Sequence, residues 1–255
     1  MEVNIHEVST YLNCPLLWKY KYQDQLIPQK RFLVKEVFDQ AVHQLFYYLF
    51  NQVANRYYPP EIKIKQAWGR IWCPDRSKQA IIMHSSPKKV AHTPRHKERQ
   101  GLEMGLLLRE HYKEKPGVPI LIGQSYNVPL GKYIINGTIE LARVVDDEVE
   151  IIDAVTADKR LNPIQLRRNI ELTAASYALR YLLKVKETRV GHYYLDSANS
   201  YYSTRDRNDY TNLICILNNF TKAIRYSIII PNIGNQCSDC NYKQYCMRKD
   251  WLGGN

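Results

Sequence analysis

Three consecutive strand-like segments in the middle of an otherwise helical chain are the feature that most constrains the fold. The residue pattern predicts strands over 120–130, 132–145 and 148–155, with Asp146-Asp147 as the turn between the last two. The residue pattern also predicts the surrounding helices, which span 5–22 (broken near Cys14-Pro15), 32–58, 61–72, 101–115, 163–186 and 208–226. A further strand is predicted over 190–195. We therefore expect an α/β or α+β fold with a central sheet.

The two-residue turn fixes the register of the second hairpin. Counting back from Asp146-Asp147 along both strands places Glu140 directly opposite Asp153. Facing residues have Cβ atoms ~4.5–5.5 Å apart, and two carboxylates at that distance repel each other. A hard divalent cation such as Mg²⁺ relieves the repulsion, which makes this pair a candidate metal site. A register that differs by one residue, or acids solvated on an exposed face, is the alternative.

His43, on the predicted helix over 32–58, is a candidate third ligand. It flanks the apolar stripe of that helix, where a lone histidine is otherwise a packed or half-exposed side chain. Spacing alone does not place it near the carboxylates.

A surplus of basic residues indicates a polyanionic partner. The chain of 255 residues has 36 Lys and Arg against 25 Asp and Glu, for a net charge of +11. Nucleic acid is the commonest intracellular polyanion, and charge that serves only solubility is the alternative. Residues 63–99 are strongly basic, and 85–100 has the composition of a basic loop. We expect phosphate contacts there, with a merely solvated loop as the alternative, from Lys88, Lys89, Arg95 and Lys97.

The compartment follows from what the sequence lacks. Its apolar runs are all shorter than the ~18 residues of a membrane span. The first ten residues have neither the basic nor the apolar region of a secretory signal. We therefore expect a cytoplasmic protein with no membrane partner.

A cysteine triplet near the C-terminus predicts a metal or cluster site. Cys237, Cys240 and Cys246 have the spacing C-x₂-C-x₅-C, and clustered thiols in a reducing compartment favour metal ligation over disulfides. Tetrahedral zinc or a [4Fe–4S] cluster needs a fourth thiolate. The candidates are Cys14, Cys73 and Cys215. Cys215 lies in an apolar helical run typical of a core, whereas Cys14 lies in a tight segment before the long helix.

Six segments, in chain order, resemble one known family. They are NCPLLWKY with Cys14, QAVHQL with His43, GTIE ending at Glu140, Asp153-Ala-Val155, Thr173 to Tyr177, and the cysteine triplet. With these motifs the chain resembles the RecB-like nucleases of the PD-(D/E)XK superfamily that carry an iron–sulfur cluster. That branch includes the CRISPR adaptation exonucleases and the AddB-type helicase–nuclease subunits. The resemblance covers nearly the whole chain.

The resemblance implies a single domain over 1–255 with a restriction-endonuclease-like core. This is an α/β fold whose central mixed sheet is flanked by helices. Its parts are a helical region with the basic loop (32–115), a nuclease core (120–230) and a cluster-binding region (14 plus 237–246). An iron–sulfur clasp would join the N- and C-termini.

The resemblance also implies cofactors and site residues. One [4Fe–4S] cluster would be held by Cys14, Cys237, Cys240 and Cys246. Mg²⁺ or Mn²⁺ would be held by His43, Glu140 and Asp153, with Tyr177 in the catalytic site.

Three positions depart from the family pattern. Glu140 replaces an Asp, Val155 stands where the family has its catalytic Lys, and Thr173 stands where it has Gln. The lysine helps to orient and activate the attacking water, whereas valine can neither donate a hydrogen bond nor carry charge. Losing one such group costs ~10²–10³ in rate at comparable sites. Lys159, just after the strand, is a candidate replacement.

These departures leave three hypotheses. We expect a DNA-binding iron–sulfur protein, a weakened or inactive nuclease that holds DNA ends or single strands with protein partners in a DNA-processing or CRISPR-type assembly. The first alternative is an active Mg²⁺- or Mn²⁺-dependent DNA exonuclease that uses Glu140, Asp153, His43 and Lys159. The second is a structural protein clasped by metal, with no role on DNA.

Overall fold

The computed structural model describes residues 1–28, 30–72, 94–156, 160–238 and 240–247. Its strands are β1 (Glu2–Asn4), β2 (Val118–Leu130), β3 (Tyr133–Val145), β4 (Glu148–Val155), β5 (Arg189–Tyr194) and β6 (Asn199–Ser203). Its α-helices are α1 (Ile5–Asn13), α2 (Pro15–Trp18), α3 (Lys30–Ala54), α4 (Glu61–Trp72), α5 (Pro94–Tyr112), α6 (Pro163–Arg167), α7 (Ile170–Leu183), α8 (Arg207–Arg225) and α9 (Lys243–Met247). A π-helical segment spans Lys19–Gln23, and a 3₁₀ turn spans Asn235–Cys237.

Strand β3 has three partners on its two edges. β2 pairs antiparallel with it from Leu130↔Tyr133 to Val118↔Val144 and so occupies one edge. The other edge is shared by β1, which pairs in parallel with residues 134–136, and by β4, which pairs antiparallel with residues 141–145. Between these two partners lie residues 137–140 of β3, which we call the β3 gap.

The remaining strands complete a mixed sheet with helices on both faces. β5 is parallel to β4, and β6 is antiparallel to β5. Helices α1, α7 and α8 pack on one face of the sheet, and helices α3, α4 and α5 pack on the other. Ile151 and Ile152, which are consecutive on β4, belong to these two separate cores, as alternation along a strand requires. This is the α/β architecture with a mixed central sheet that the resemblance implies.

The alternation of side chains along β3 reverses at the end of the β3 gap. Ile135 and Ile139 pack in the core beneath α1 and α7, but Leu141 packs in the core beneath α3. The β2–β3 ladder skips the Gly123/Glu140 step, and Gly123 has a φ of +56°. Because this φ is costly for residues with a Cβ, glycine suits the irregular step. Glu140 therefore lies where the strand turns from one face to the other.

Three sequence predictions of helices need correction. The helix predicted over 163–186 is in fact α6 and α7, because the Asn169 side chain accepts the Leu172 N–H at 2.8 Å and starts a new helix. The helix predicted from 101 begins at Pro94, so Arg95 and Lys97 lie on α5 and not in a loop. The helix predicted to reach 58 ends at Ala54. Residues 85–93, the rest of the predicted basic loop, lie outside the described residues.

Two short strands, β1 and β6, were not predicted. They have 3 and 5 residues, too few to show a clear alternation. None of the described helices is long and apolar enough to cross a membrane.

Protein contacts join the two ends of the described chain. The Tyr11 hydroxyl donates to the Ile228 carbonyl at 2.6 Å, and the Asn232 side chain donates to the Asn13 carbonyl at 2.8 Å. The Tyr245 hydroxyl donates to the Ile27 carbonyl at 2.9 Å. The N-terminal and C-terminal segments are thus held together by hydrogen bonds made by the chain itself.

Candidate functional site

The second hairpin has the register that its turn predicts. Asp146 and Asp147 both have positive φ, 50° and 64°, as the central residues of a tight two-residue hairpin turn require. Pairing runs from Val145↔Glu148 to Leu141↔Ile152, where the ladder ends. Glu140 and Asp153 are the next residues on the two strands, so both carboxylates lie beside the β3 gap.

The side chain of Glu140 bonds to β4 just beyond the last backbone pair of the hairpin. Its Oε2 accepts the backbone N–H of Ala154 at 2.7 Å, and its Oε1 lies 3.0 Å from Nδ1 of His43. Each oxygen of the carboxylate therefore has a partner, one from β4 and one from α3. The structure brings His43 to Glu140, a contact that the sequence spacing alone could not predict.

Helix α3 presents three polar side chains to the site. Asp39, His43 and Tyr47 are spaced four residues apart and so share one helix face. The Thr156 hydroxyl donates to Oδ1 of Asp39 at 2.7 Å. Burial, with the charges of Glu140 and Asp153, raises the pKa of Tyr47, which also hydrogen-bonds to Glu140. Tyr47 therefore keeps its proton and acts as a donor to that carboxylate.

Burial and nearby negative charge both shift pKa values in the site. Burial, and then the charges of Glu140 and Glu171, raise the pKa of Asp153 well above its usual range. Burial opposes protonation of His43, but its hydrogen bond with Glu140 and the nearby negative charges outweigh burial and raise the pKa of His43. In both shifts the neighbouring carboxylates act in the direction that favours added positive charge.

Sequence reasoning missed two residues that face Asp153. His192 pairs in register with Asp153, and its Nε2 lies 3.6 Å from Oδ2 of that carboxylate. Glu171 lies in the first turn of α7, and its negative charge helps to raise the pKa of Asp153. Its Oε1 lies 3.2 Å from Nδ1 of His6. A histidine inside a strand of otherwise apolar residues was the signal for His192. Glu171 had no comparable signal, because its position depends on how α7 packs.

The donor chemistry of the site fits a divalent cation. Carboxylate oxygens are the ligands that Mg²⁺ and Mn²⁺ prefer, and imidazole is a common additional ligand. Glu140, Asp153 and His43 supply such a set from three elements of the fold. Their contacts join donors in pairs, however, and across the described ranges no three His, Cys, Asp or Glu side chains are arranged to hold a metal ion.

The basic residue expected near the carboxylates is not supplied by the described part of β4. Val155 occupies the position, paired with Tyr194 of β5. Lys159, its candidate replacement, lies outside the described residues. Thr173, at the position of the family glutamine, accepts a hydrogen bond from Nε of Arg205 at 2.8 Å.

Tyr177 lies apart from the carboxylates. Its hydroxyl donates to the Pro129 carbonyl at 2.7 Å, and Pro129 pairs with Ile134. Ile134 is six residues from Glu140 along β3, which is roughly 20 Å at ~3.4 Å per residue. The structure therefore does not bring Tyr177 into contact with the acids of the site.

The cysteines predicted to bind a cluster converge on one region. Cys14, Cys237 and Cys240 line a pocket between α1 and the C-terminal segment. Cys14, Cys240 and Cys246 also pack against a small core around Tyr20. Burial, with the nearby Cys14 and Cys237 thiols, raises the pKa of Cys240. Four thiols are the donor chemistry of a thiolate-bound metal, but within the described residues these side chains do not form a metal-binding group as they lie.

The four predicted phosphate contacts divide into two pairs. Arg95 is exposed on the first turn of α5. Lys97 donates to Oε1 of Gln100 at 2.8 Å, and its Nζ lies 4.4 Å above the Phe38 ring. Lys88 and Lys89 lie outside the described residues.

Comparison with known protein families finds a match to the chain. The family model described as PD-(D/E)XK nuclease superfamily matches residues 2–247. No curated protein matches the chain. The matched range includes every strand of the sheet, both carboxylates of the hairpin and all four candidate cluster cysteines.

Proposed function

The chain belongs to the PD-(D/E)XK nuclease superfamily, and we propose that it is a DNA-binding nuclease dependent on Mg²⁺ or Mn²⁺, slowed by Val155. One observation carries the proposal. Glu140 is fixed by His43 and by the Ala154 amide beside Asp153, in the gap between two partners of β3. A fold that retained only a structural role would have no need to keep two mutually repelling carboxylates there.

The roles of the residues follow from their contacts. Glu140, Asp153 and His43 would hold the cation, which when bound stabilises charge on the scissile phosphate and lowers the pKa of a water. The Ala154 N–H and Tyr47 keep the Glu140 carboxylate oriented. With valine at 155, no basic side chain on β4 helps to align the attacking water, so we expect turnover ~10²–10³ below that of a site with lysine.

A nuclease assay tests this function. End-labelled single- and double-stranded DNA would be incubated with Mg²⁺ or Mn²⁺ and with either the wild type or Asp153→Asn. Asp147→Asn is the matched control, because it makes the same change in the turn of the same hairpin, where asparagine tolerates the positive φ. We expect slow cleavage that Asp153→Asn abolishes and Asp147→Asn retains. Cleavage that survives in Asp153→Asn would refute the assignment.

Val155 also favours a second candidate function, a protein that binds DNA ends or single strands without cleaving them. The net charge of +11 supports either function, because both require a polyanion. DNA binding without cleavage at any concentration of metal would favour this second candidate. Either function suits a DNA-processing assembly of the CRISPR-adaptation or AddB-like kind, with other proteins as partners.

We further propose that Cys14, Cys237, Cys240 and Cys246 hold a [4Fe–4S] cluster. The support is the C-x₂-C-x₅-C spacing and the approach of Cys14 to the same pocket. A cluster would add to the hydrogen bonds that already join the chain ends, so its main contribution would be to stability. Anaerobically purified protein should contain four iron atoms and four sulfides per chain, and zinc in their place would refute the cluster.

A further inference from the structure

His192 is a buried histidine with no hydrogen-bond partner among the residues that the structure describes. It is 6% exposed, and neither ring nitrogen is hydrogen-bonded within the described chain. Leaving a buried polar group unsatisfied is costly, so native proteins rarely retain one without a reason. Its nearest acidic group is the Asp153 carboxylate, 3.6 Å from Nε2.

The backbone aims His192 at the carboxylates. It pairs directly with Asp153 in the parallel ladder between β4 and β5, so the two side chains emerge on the same face of the sheet. Val190, two residues earlier on β5, packs in the core beneath α1 and α7, so His192 faces that side of the sheet. The negative charges of Glu171 on α7 and Glu140 on β3 both act to raise the pKa of His192.

We infer that His192 is a positioning residue for Asp153, whose carboxylate it holds toward the cation by donating a ring N–H. The inference rests on the proposed function, because it assigns Asp153 to the metal site. A histidine donor that orients a ligating carboxylate raises metal affinity without touching the metal, and removing such a partner typically costs 10–100-fold in affinity.

His192 is not an electrostatic substitute for the lysine missing at 155. Burial lowers its pKa to about 4, with the opposing charges of Glu171 and Glu140 only partly offsetting this. His192 faces Asp153 from β5, whereas the missing lysine belongs to β4, so its ring can donate a hydrogen bond to Asp153 without replacing the side chain at 155. We therefore expect His192 to affect metal affinity, while the deficit in water activation remains with Val155.

Direct Mn²⁺ binding to the full-length protein tests the inference without relying on activity. Electron paramagnetic resonance of free Mn²⁺ would give the dissociation constant of the site that Asp153→Asn abolishes. His192→Leu removes the donor, whereas His192→Gln places an amide N–H close to the position of Nε2. We expect His192→Leu to weaken Mn²⁺ binding at that site ~10-fold or more. His192→Gln should bind within about threefold of wild type.

His111→Leu is the matched control. Desolvation also lowers the pKa of His111, but this histidine is exposed to solvent and packs against Tyr112 and Tyr193, away from Asp153. Its Mn²⁺ affinity should equal that of wild type. Melting temperatures confirm folding, and His192→Phe provides a second donor-free variant if leucine is not tolerated.

The outcomes separate this inference from the proposed function. Wild-type affinity in a folded His192→Leu or His192→Phe variant would overturn the inference alone. Equal losses in the Gln and Leu variants would also overturn it, since they would indicate a packing role. Absence of any Mn²⁺ site sensitive to Asp153→Asn would overturn both the inference and the proposed metal-dependent function.

Discussion

Glu140 combines a structural role with the chemical role that we propose for it. Its Oε2 satisfies the Ala154 N–H at the end of a ladder, and in the proposed function its charge would contribute to the cation site. A glutamate reaches one methylene further than the aspartate of the family pattern. That length lets its carboxylate accept the N–H of Ala154 across the end of the hairpin while it also meets His43.

Two substitutions should separate these roles. Glu140→Gln keeps an oxygen acceptor for the Ala154 N–H but removes the charge, so we expect Mn²⁺ binding and cleavage to be lost with little change in melting temperature. Glu140→Ala also leaves the buried N–H unsatisfied, and should lower the free energy of unfolding by a further ~1–3 kcal/mol. Calorimetry measures the stability of the two variants, and Mn²⁺ titration measures their metal binding. Equal stability of the two variants would contradict the structural role.

At the scale of elements, three strands are joined by an ion network whose central pair, Arg143 and Glu150, is buried. Arg143, Glu150 and Arg189 are directly paired across β3, β4 and β5, and both arginines donate to Glu150 at 2.7 Å. Three residues further toward the β3 gap on each strand lie Glu140, Asp153 and His192. The network therefore sets the alignment on which the site depends.

Glu150→Gln should expose how much the network contributes. Glu150 is 1% exposed and Arg143 4%, so the substitution leaves a guanidinium buried without its counter-charge. We expect a loss of ~3–5 kcal/mol in the free energy of unfolding. Glu148→Gln, an exposed position on the same strand, is the control and should change it by less than about 0.5 kcal/mol. Similar stabilities of Glu150→Gln and Glu148→Gln in chemical denaturation would contradict a stabilising role of the ion network.

The accuracy of the sequence analysis differs from element to element for physical reasons. Glu140 and Asp153 could be aligned because a hairpin register follows from its turn alone. His192 could not be aligned with Asp153 in this way, since β4 connects to β5 through α6 and α7. The register of such a parallel pair is not set by a local turn. The break at Asn169 was missed because a helix cap competes with a helical pattern that continues on both sides of it.

At the scale of the whole molecule, the sheet and the chain ends form two separate centres. The carboxylate site lies between helices of both faces, whereas the cysteines lie where α1 and α2 meet the C-terminal segment. His6 connects them, because it lines the cysteine pocket and contacts Glu171 beside Asp153. The two centres therefore share helix α1.

The two described basic residues of the predicted phosphate contacts, Arg95 and Lys97, give a prediction about DNA binding by the whole molecule. Arg95→Ala should reduce the slope of log binding constant against log salt by up to about 0.9, because one phosphate contact is lost. Its melting temperature should not change, as the side chain is exposed. Lys97→Ala should instead lower the melting temperature, since Lys97 lies over Phe38 and binds Gln100.

Lys113→Ala is the control for charge alone. It removes one cation just beyond the other end of α5, a helix of 19 residues and roughly 28 Å. If Arg95→Ala and Lys113→Ala reduce the salt slope equally, the start of α5 is not a specific part of the DNA interface.

Val155→Lys tests the central claim, that this is a nuclease site lacking one basic group, most directly. The measurement is the single-turnover rate of DNA cleavage with Mn²⁺ for wild type, Val155→Lys and Val155→Lys/Asp153→Asn. If the site is otherwise intact, the lysine should raise the rate at least ~10-fold, approaching ~10²-fold, and the second substitution should abolish the gain. A folded Val155→Lys variant that cleaves no faster than wild type would contradict the claim.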